Sequence, residues 1–155
     1  MAFCTPMGLL VKVVKEMVLY SLDFDVKARD FDSAGEVSSN LRSVLKQLSL
    51  NPDVVRRSCI ACYEAEMNII IHSYGGHMKI EIFGDKIRIT AEDTGPGIED
   101  IELAMKEGYS TAPEEIREMG FGAGMGLPNM KENSDFMDIK SSKEGTTVVM
   151  EILFK

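Results

Sequence analysis

The chain is poor in several things at once. It has no tryptophan, two histidines, three cysteines and five prolines among 155 residues. Three cysteines make no disulfide framework, and Cys59-Ile60-Ala61-Cys62 supplies only half of a four-ligand zinc site, because no second pair exists. Within a helix, with Cys4 as the other thiol, the pair reads as core packing ahead of a redox role. No apolar run approaches the roughly 20 residues that cross a bilayer, so no membrane span is expected. Met7 to Val14 is apolar but broken by Lys12, and no cleavage-site pattern follows it, which argues against a secretory leader. Positive charge is also short: 17 Lys and Arg against 25 Asp and Glu leave a net charge of −8. That balance argues against nucleic acid or an anionic membrane surface as the main partner. A cytoplasmic protein is expected.

Glycine is what the chain does have, and it is clustered. One loop reads Asp93-Thr94-Gly95-Pro96-Gly97, followed by Ile98. A second reads Gly120-Phe121-Gly122-Ala123-Gly124-Met125-Gly126-Leu127. Glycines this dense destabilise a fold unless the backbone needs positive φ or something must approach the main chain closely. A loop of bare N–H groups opening onto a helix start is a phosphate site in waiting. A carboxylate among small residues, such as Asp93, suits the exocyclic amine of adenine. Between the loops, residues 98–119 are charged and broken at Ser110-Thr111-Ala112-Pro113, the pattern of a mobile segment. Upstream, Glu64-Ala65-Glu66-Met67-Asn68 lies in one long predicted helix. Glu64 and Asn68 share a face there, with Cβ atoms about 5–6 Å apart. A carboxylate to take or orient a proton beside an amide oxygen for Mg²⁺ is a compact outfit for phosphoryl transfer. Glu66 lies about 200° further round and is expected at the surface.

The remaining pattern places these motifs. Met7 to Val14 is compatible with a strand, a helix turn or a tail, so residues 1–17 are read as an extension to a single domain over 18–155. Val18, Tyr20, Leu22, Phe24, Val26 and Ala28 alternate as in a half-buried strand. Ser33-Ala34-Gly35-Glu36 reads as a capping box for a helix to about Ser49. Asn51-Pro52 offers an N-cap and a first-turn proline to the helix carrying Glu64, which stops at Gly75-Gly76. Met78 to Phe83 and Lys86 to Ala91 form a predicted hairpin delivering the chain to Asp93. Short helices are expected over 99–106 and 113–118, and a further one from Met125 or Gly126 to about Asn133. Phe136 to Ser141 and Thr146 to Phe154 then close the sheet as a second hairpin. The predicted fold class is α/β (α+β): a two-layer sandwich whose mixed, mainly antiparallel sheet carries helices on one face. His72 and His77 are read as a structural helix residue and an exposed one.

Glu-x-x-x-Asn, then Asp-x-Gly-x-Gly, then Gly-x-Gly-x-Gly-Leu, then Gly145-Thr146-Thr147 is similar to the GHKL (Bergerat-fold) ATPases. Gyrase B, MutL, heat-shock chaperones and histidine kinases belong there. Within that superfamily the chain resembles the small anti-sigma-factor serine/threonine kinases and the stressosome switch kinase, over about residues 33 to 152. Asp100 to Met105 with Tyr109-Ser110-Thr111 resembles their lid, and Leu127-Pro128 with Lys131 leans toward the switch kinase. The resemblance implies a protein kinase using ATP and Mg²⁺, with Glu64 as catalytic base and Asn68 as metal ligand. It implies nucleotide contacts at Asp93, Gly95, Gly97, Ile98, Thr111, Arg117, Gly122, Gly124, Met125, Gly126, Leu127, Thr146 and Thr147. Arg117, four residues after Pro113, matches a lid arginine that reaches the γ-phosphate. The implied partner is a small antagonist or acceptor protein, with a sigma factor and a second copy of the chain as further candidates. The alternative is an ATP-dependent binding switch that transfers no phosphate.

Overall fold

The computed structural model describes residues 7–154; Cys4 lies outside them. In chain order the elements are α1 (Met7–Glu16), β1 (Tyr20–Val26), α2 (Glu36–Gln47), α3 (Pro52–His72), β2 (Gly76–Ile82), β3 (Lys86–Asp93), α4 (Ile101–Ala104), α5 (Glu114–Glu118), α6 (Gly126–Glu132), β4 (Phe136–Ser142) and β5 (Gly145–Leu153). The strands form one sheet in the order β1-β2-β3-β5-β4. Every neighbouring pair among the described strands is antiparallel, which corrects the expectation of a mixed sheet. The β3-to-β4 connection does cross over with α6, but the second hairpin slots β5 between those two strands. The two-layer α+β class itself is what the structure shows.

Register turns the period-two pattern into a core. Met78, Ile80 and Ile82 lie directly beside Ala91, Ile89 and Ile87, and these beside Val148, Met150 and Ile152. All nine are buried, and α3 lies across β3 and β5 with Ile69 and Ile70 also buried. Each of the isoleucine, valine and methionine side chains among them contributes about 1.5–3 kcal/mol by leaving water. Cys59 and Cys62 belong to the same core, and burial raises both thiol pKa values. On the other face of the sheet, exposed His77 sits 3.0 Å from both Asp23 and Asp25 of β1.

Three local expectations change. The opening segment is a ten-residue helix: Met7, Leu10, Val11 and Val14 fall at helical spacing. The first strand is shorter than the alternation suggested, since Val18 and Leu19 precede it and are exposed. The capping box does not form either. Gly35, in the left-handed region, is the N-cap of α2 and has no side chain to offer. Instead its N–H donates 3.0 Å to Glu66 Oε1. Glu66 is therefore buried, only 2% exposed, rather than on the surface: α2 packs against α3 on the side away from Glu64. Burial pushes its pKa up, against the pull of the Gly35, Val37 and Ser38 N–H groups.

A carboxyl whose folded pKa lies above its unfolded value costs stability when ionised, and the cost fades as pH falls through that raised value toward the ordinary range near 4.3. Glu66→Gln keeps an acceptor and removes the charge. The melting-temperature gap between this variant and the wild type should shrink on acidification through that window. A gap independent of pH overturns the assignment.

Candidate functional site

A cavity of about 780 Å³ opens between α3, the end of β3, the segment after it and the second glycine loop. That volume lies in the range of small-molecule sites, about 300–1,000 Å³. Its placement starts with α3. Asn51 accepts the Asp53 N–H at 2.8 Å and Pro52 occupies the first helical position, so the helix begins at a defined residue. Glu64 and Asn68 then fall one turn apart on the cavity wall. Gly126, at the start of α6, closes over them. A Cβ there would stand 3.1 Å from Asn68 Oδ1 and 3.4 Å from Glu64 Oε2, so a side chain would crowd the acid–amide pair.

Asp93 is the last residue of β3. Its Oδ1 accepts the Thr146 N–H at 3.0 Å, and its second oxygen remains for a ligand donor. Burial raises its pKa, with the Thr146 N–H opposing. The chain then turns at Gly97, with φ at 86° and a hypothetical Cβ only 2.0 Å from the Ser142 carbonyl oxygen. No other residue type fits that approach. Ile98 N–H donates 2.7 Å to Ser141 Oγ and holds the start of the lid on β4.

Twelve of the expected residues meet at this cavity. Glu64, Asn68, Asp93 and Thr146 line it with Gly97, Ile98 and Thr111, and Gly122, Gly124, Met125, Gly126 and Leu127 form another wall. Gly95, Arg117 and Thr147 do not line it. Gly95 is buried under the β4–β5 turn, its N–H donating 2.7 Å to the Glu144 carbonyl. Thr147 points to the opposite face of the sheet, between Glu92 and Lys140, because strand side chains alternate and Thr146 takes the inner position. Arg117 is exposed and donates to the Ser110 carbonyl oxygen. Sequence reasoning missed Asn129, whose Nδ2 donates 3.2 Å to Glu64 Oε1. It also missed the stack of Phe121 on Phe31, with ring centroids 5.0 Å apart. Asn129 falls one turn after Gly126 and was readable from that spacing. The phenylalanines lie ninety residues apart in sequence and carried no local signal.

Backbone laid bare by glycine, a carboxylate held with one oxygen to spare and a metal-competent amide suit a phosphorylated nucleotide. The class that the fold defines is an ATP-binding domain. Residues 28–152 match the histidine kinase-like ATPase domain, and the chain belongs to that family. Among its relatives is the serine/threonine-protein kinase RsbT of Bacillus subtilis, 34% identical over 112 residues, which are 69% of this chain and 78% of that one. Another is the anti-sigma F factor of Clostridium kluyveri, 34% identical over 121 residues, 74% and 82% of the two chains. Two solved structures share the fold. The RsbU and RsbW domains of a Mycobacterium tuberculosis protein superpose with a TM-score of 0.60 at 16% identity, covering 86% of this chain and 32% of that one. The SiaB–SiaC complex of Pseudomonas aeruginosa gives 0.56 at 14%, covering 94% and 96%.

Asp93→Asn retains an acceptor for Thr146 but removes the charge offered to a ligand amine. A hydrogen bond to a charged group is worth about 1.5–3 kcal/mol, so ADP affinity should fall about ten- to a hundredfold in calorimetry. In the wild type, affinity should also fall as pH drops through the raised pKa of Asp93, since only the ionised form offers a charged acceptor, and the variant should lack this dependence. Equal affinities overturn the role. The lid gives a second test. Over residues 99–119 only Ala112 and Ile116 are buried, and the two helices are one turn each. Fast hydrogen exchange is expected there without nucleotide and slower exchange with ATP; strong protection in the nucleotide-free protein contradicts it.

Proposed function

We propose that this chain is a Mg²⁺- and ATP-dependent protein-serine/threonine kinase that phosphorylates a small regulatory protein and exchanges partners with nucleotide state. The observation that carries the proposal is the Glu64–Asn68 pair, on one helix face directly under the glycine at the start of α6. ATP supplies the phosphoryl group. Glu64 takes the proton of the acceptor hydroxyl on Oε2, while Oε1 accepts from Asn129 of α6. Asn68 Oδ1, a neutral hard donor, is the candidate ligand for Mg²⁺. Asp93 selects adenine through its free oxygen, and the Gly122–Leu127 wall lets phosphate oxygens approach the main chain.

Charge supports the metal. Among the described residues lining the cavity, none is lysine or arginine, while Glu64, Asp93, Glu99 and Asp100 are all acidic. A triphosphate entering such a site meets backbone N–H groups and neutral polar side chains such as Ser110 and Thr111, so the positive charge it needs is that of a cation it brings with it. Arg117, tied to Ser110, is given no part in this reading.

The relatives' names set the class of partner: a serine/threonine kinase and anti-sigma factors point to a small regulatory protein, with a sigma factor as one candidate. A second copy of the chain is another. Leu9, Leu10 and Val11 of α1 and also Met17 and Leu19 are exposed, and β1 is an edge strand of the sheet among the described residues. No described helix is long and apolar enough to cross a membrane, and we place the protein in the cytoplasm, where ATP and such partners are found.

The test is transfer from γ-labelled ATP in a dialysed extract of the cells that make the protein, with wild type or Glu64→Ala. One acid-stable labelled band is expected with wild type and Mg²⁺. It should vanish with Glu64→Ala, a loss of at least a hundredfold, and with chelator. Equal labelling by the variant removes Glu64 as base. Absence of any band, alongside clear ATP binding, favours a switch that transfers nothing.

A further inference from the structure

We propose that Asn129 is a positioning residue for Glu64, transmitting the placement of the glycine wall to the base. The inference rests on the reading of Glu64 given above. Asn129 stands three residues after Gly126 in α6, on the same helix face, and its amide nitrogen lies 3.2 Å from Glu64 Oε1. A carboxylate at this contact only accepts, so the amide must present its nitrogen, and the orientation of the side chain follows. Glu64 is then engaged at one oxygen. The other, Oε2, lies toward Gly126 on the cavity side, close to where a Cβ of that glycine would stand. One donor thereby leaves a single oxygen to receive a proton, and fixes its direction.

The frame of Asn129 is itself tied at both ends. Its N–H donates 2.9 Å to the carbonyl of Met125, within the glycine wall, and its own carbonyl accepts from the Asn133 N–H at 3.1 Å and Nδ2 at 2.8 Å. A displacement of residues 122–126 is therefore passed to Asn129 and on to the Glu64 carboxylate. The α3–α6 contact does not need an amide for packing, since buried Leu127 and Met130 supply the apolar surface of α6. A polar donor aimed at the base is better explained by orientation than by cohesion. The consequence is a check built into the site: Glu64 faces the acceptor hydroxyl only when the wall beside the phosphates is seated.

The experiment follows labelling of the acceptor band in the transfer assay, beside ADP affinity and melting temperature for each variant. Misplacing a catalytic group by about 1 Å costs up to a hundredfold. Asn129→Ala and the near-isosteric Asn129→Leu should each slow transfer about ten- to a hundredfold at saturating ATP, with ADP affinity and melting temperature near wild type. Asn129→Asp, which replaces the donor with a like charge, should lose at least as much. In a Glu64→Ala background Asn129→Ala should add nothing, because the two act as one unit. Wild-type rates in Asn129→Ala and Asn129→Leu, or losses that multiply in the double variant, overturn the role of Asn129 while leaving Glu64 as base. Unchanged transfer in Glu64→Ala, or no transfer by the wild type, overturns both readings. Slowing accompanied by an equal loss of ADP affinity or of melting temperature reduces Asn129 to a structural tie and also overturns the proposal.

Discussion

The site depends on one close approach of two backbones: the segment after β3 rests on the turn between β4 and β5. Asp93 accepts from the Thr146 N–H, Gly95 donates to Glu144, and Ile98 donates to Ser141 Oγ. The seat is so tight that a Cβ on Gly97 would come within 2.0 Å of the Ser142 carbonyl oxygen, and one on Gly145 equally close to that of Asp93. This contact is possible only because β5 lies beside β3. The sheet order and the position of the Asp93 carboxylate are thus one constraint. The Thr146 peptide N–H, at the start of β5, orients Asp93, which satisfies a donor and aims an acceptor together.

The second constraint is that α3 serves two neighbours at once. Toward the cavity it presents Glu64 and Asn68. Toward α2 it presents Glu66, which replaces the missing side-chain cap at Gly35. Between these polar faces run Cys62, Ala65 and Ile69, buried against the sheet. A helix with carboxylates on opposite sides and an apolar stripe between them cannot rotate without burying an unpaired charge. Such a rotation costs several kcal/mol, so the acid–amide pair is held in register by interactions remote from any ligand.

What was legible follows from which signals are local. The Asn51-Pro52 start of α3, both hairpins and the two glycine loops are written in consecutive residues, and the structure has them where periodicity and turn chemistry put them. The Glu64–Asn68 face follows from helical spacing once the helix is granted. Illegible were features set by a distant partner. Glu66 looked solvated because its own helix gave no hint that α2 would cross there. The Ser33–Glu36 box lost to that same carboxylate. Thr147 was grouped with Thr146 by motif, although strand alternation already sends it to the other face. Arg117 has the right offset from Pro113, but its contact with Ser110 depends on how residues 108–120 fold back, which no short pattern records.

The glycine wall and the lid share a related constraint. Gly108 N–H donates 3.0 Å to the Gly124 carbonyl, and Ala112 lies against Gly122, where a Cβ would stand 2.5 Å from its methyl carbon. Phe121, itself part of the cavity lining, stacks on Phe31, which is not. The wall is therefore clamped on its outer side by lid backbone and an aromatic pair, and on its inner side by α6 through Met125 and Asn129. A nucleotide that displaces the lid changes one side of this clamp while the other is bonded to Glu64. In a cavity whose described lining carries no lysine or arginine, no fixed cation draws the triphosphate into place. In the proposed mechanism the seating of the wall tells Glu64 that phosphate has arrived, and the Asn129–Glu64 hydrogen bond is the contact that carries the signal.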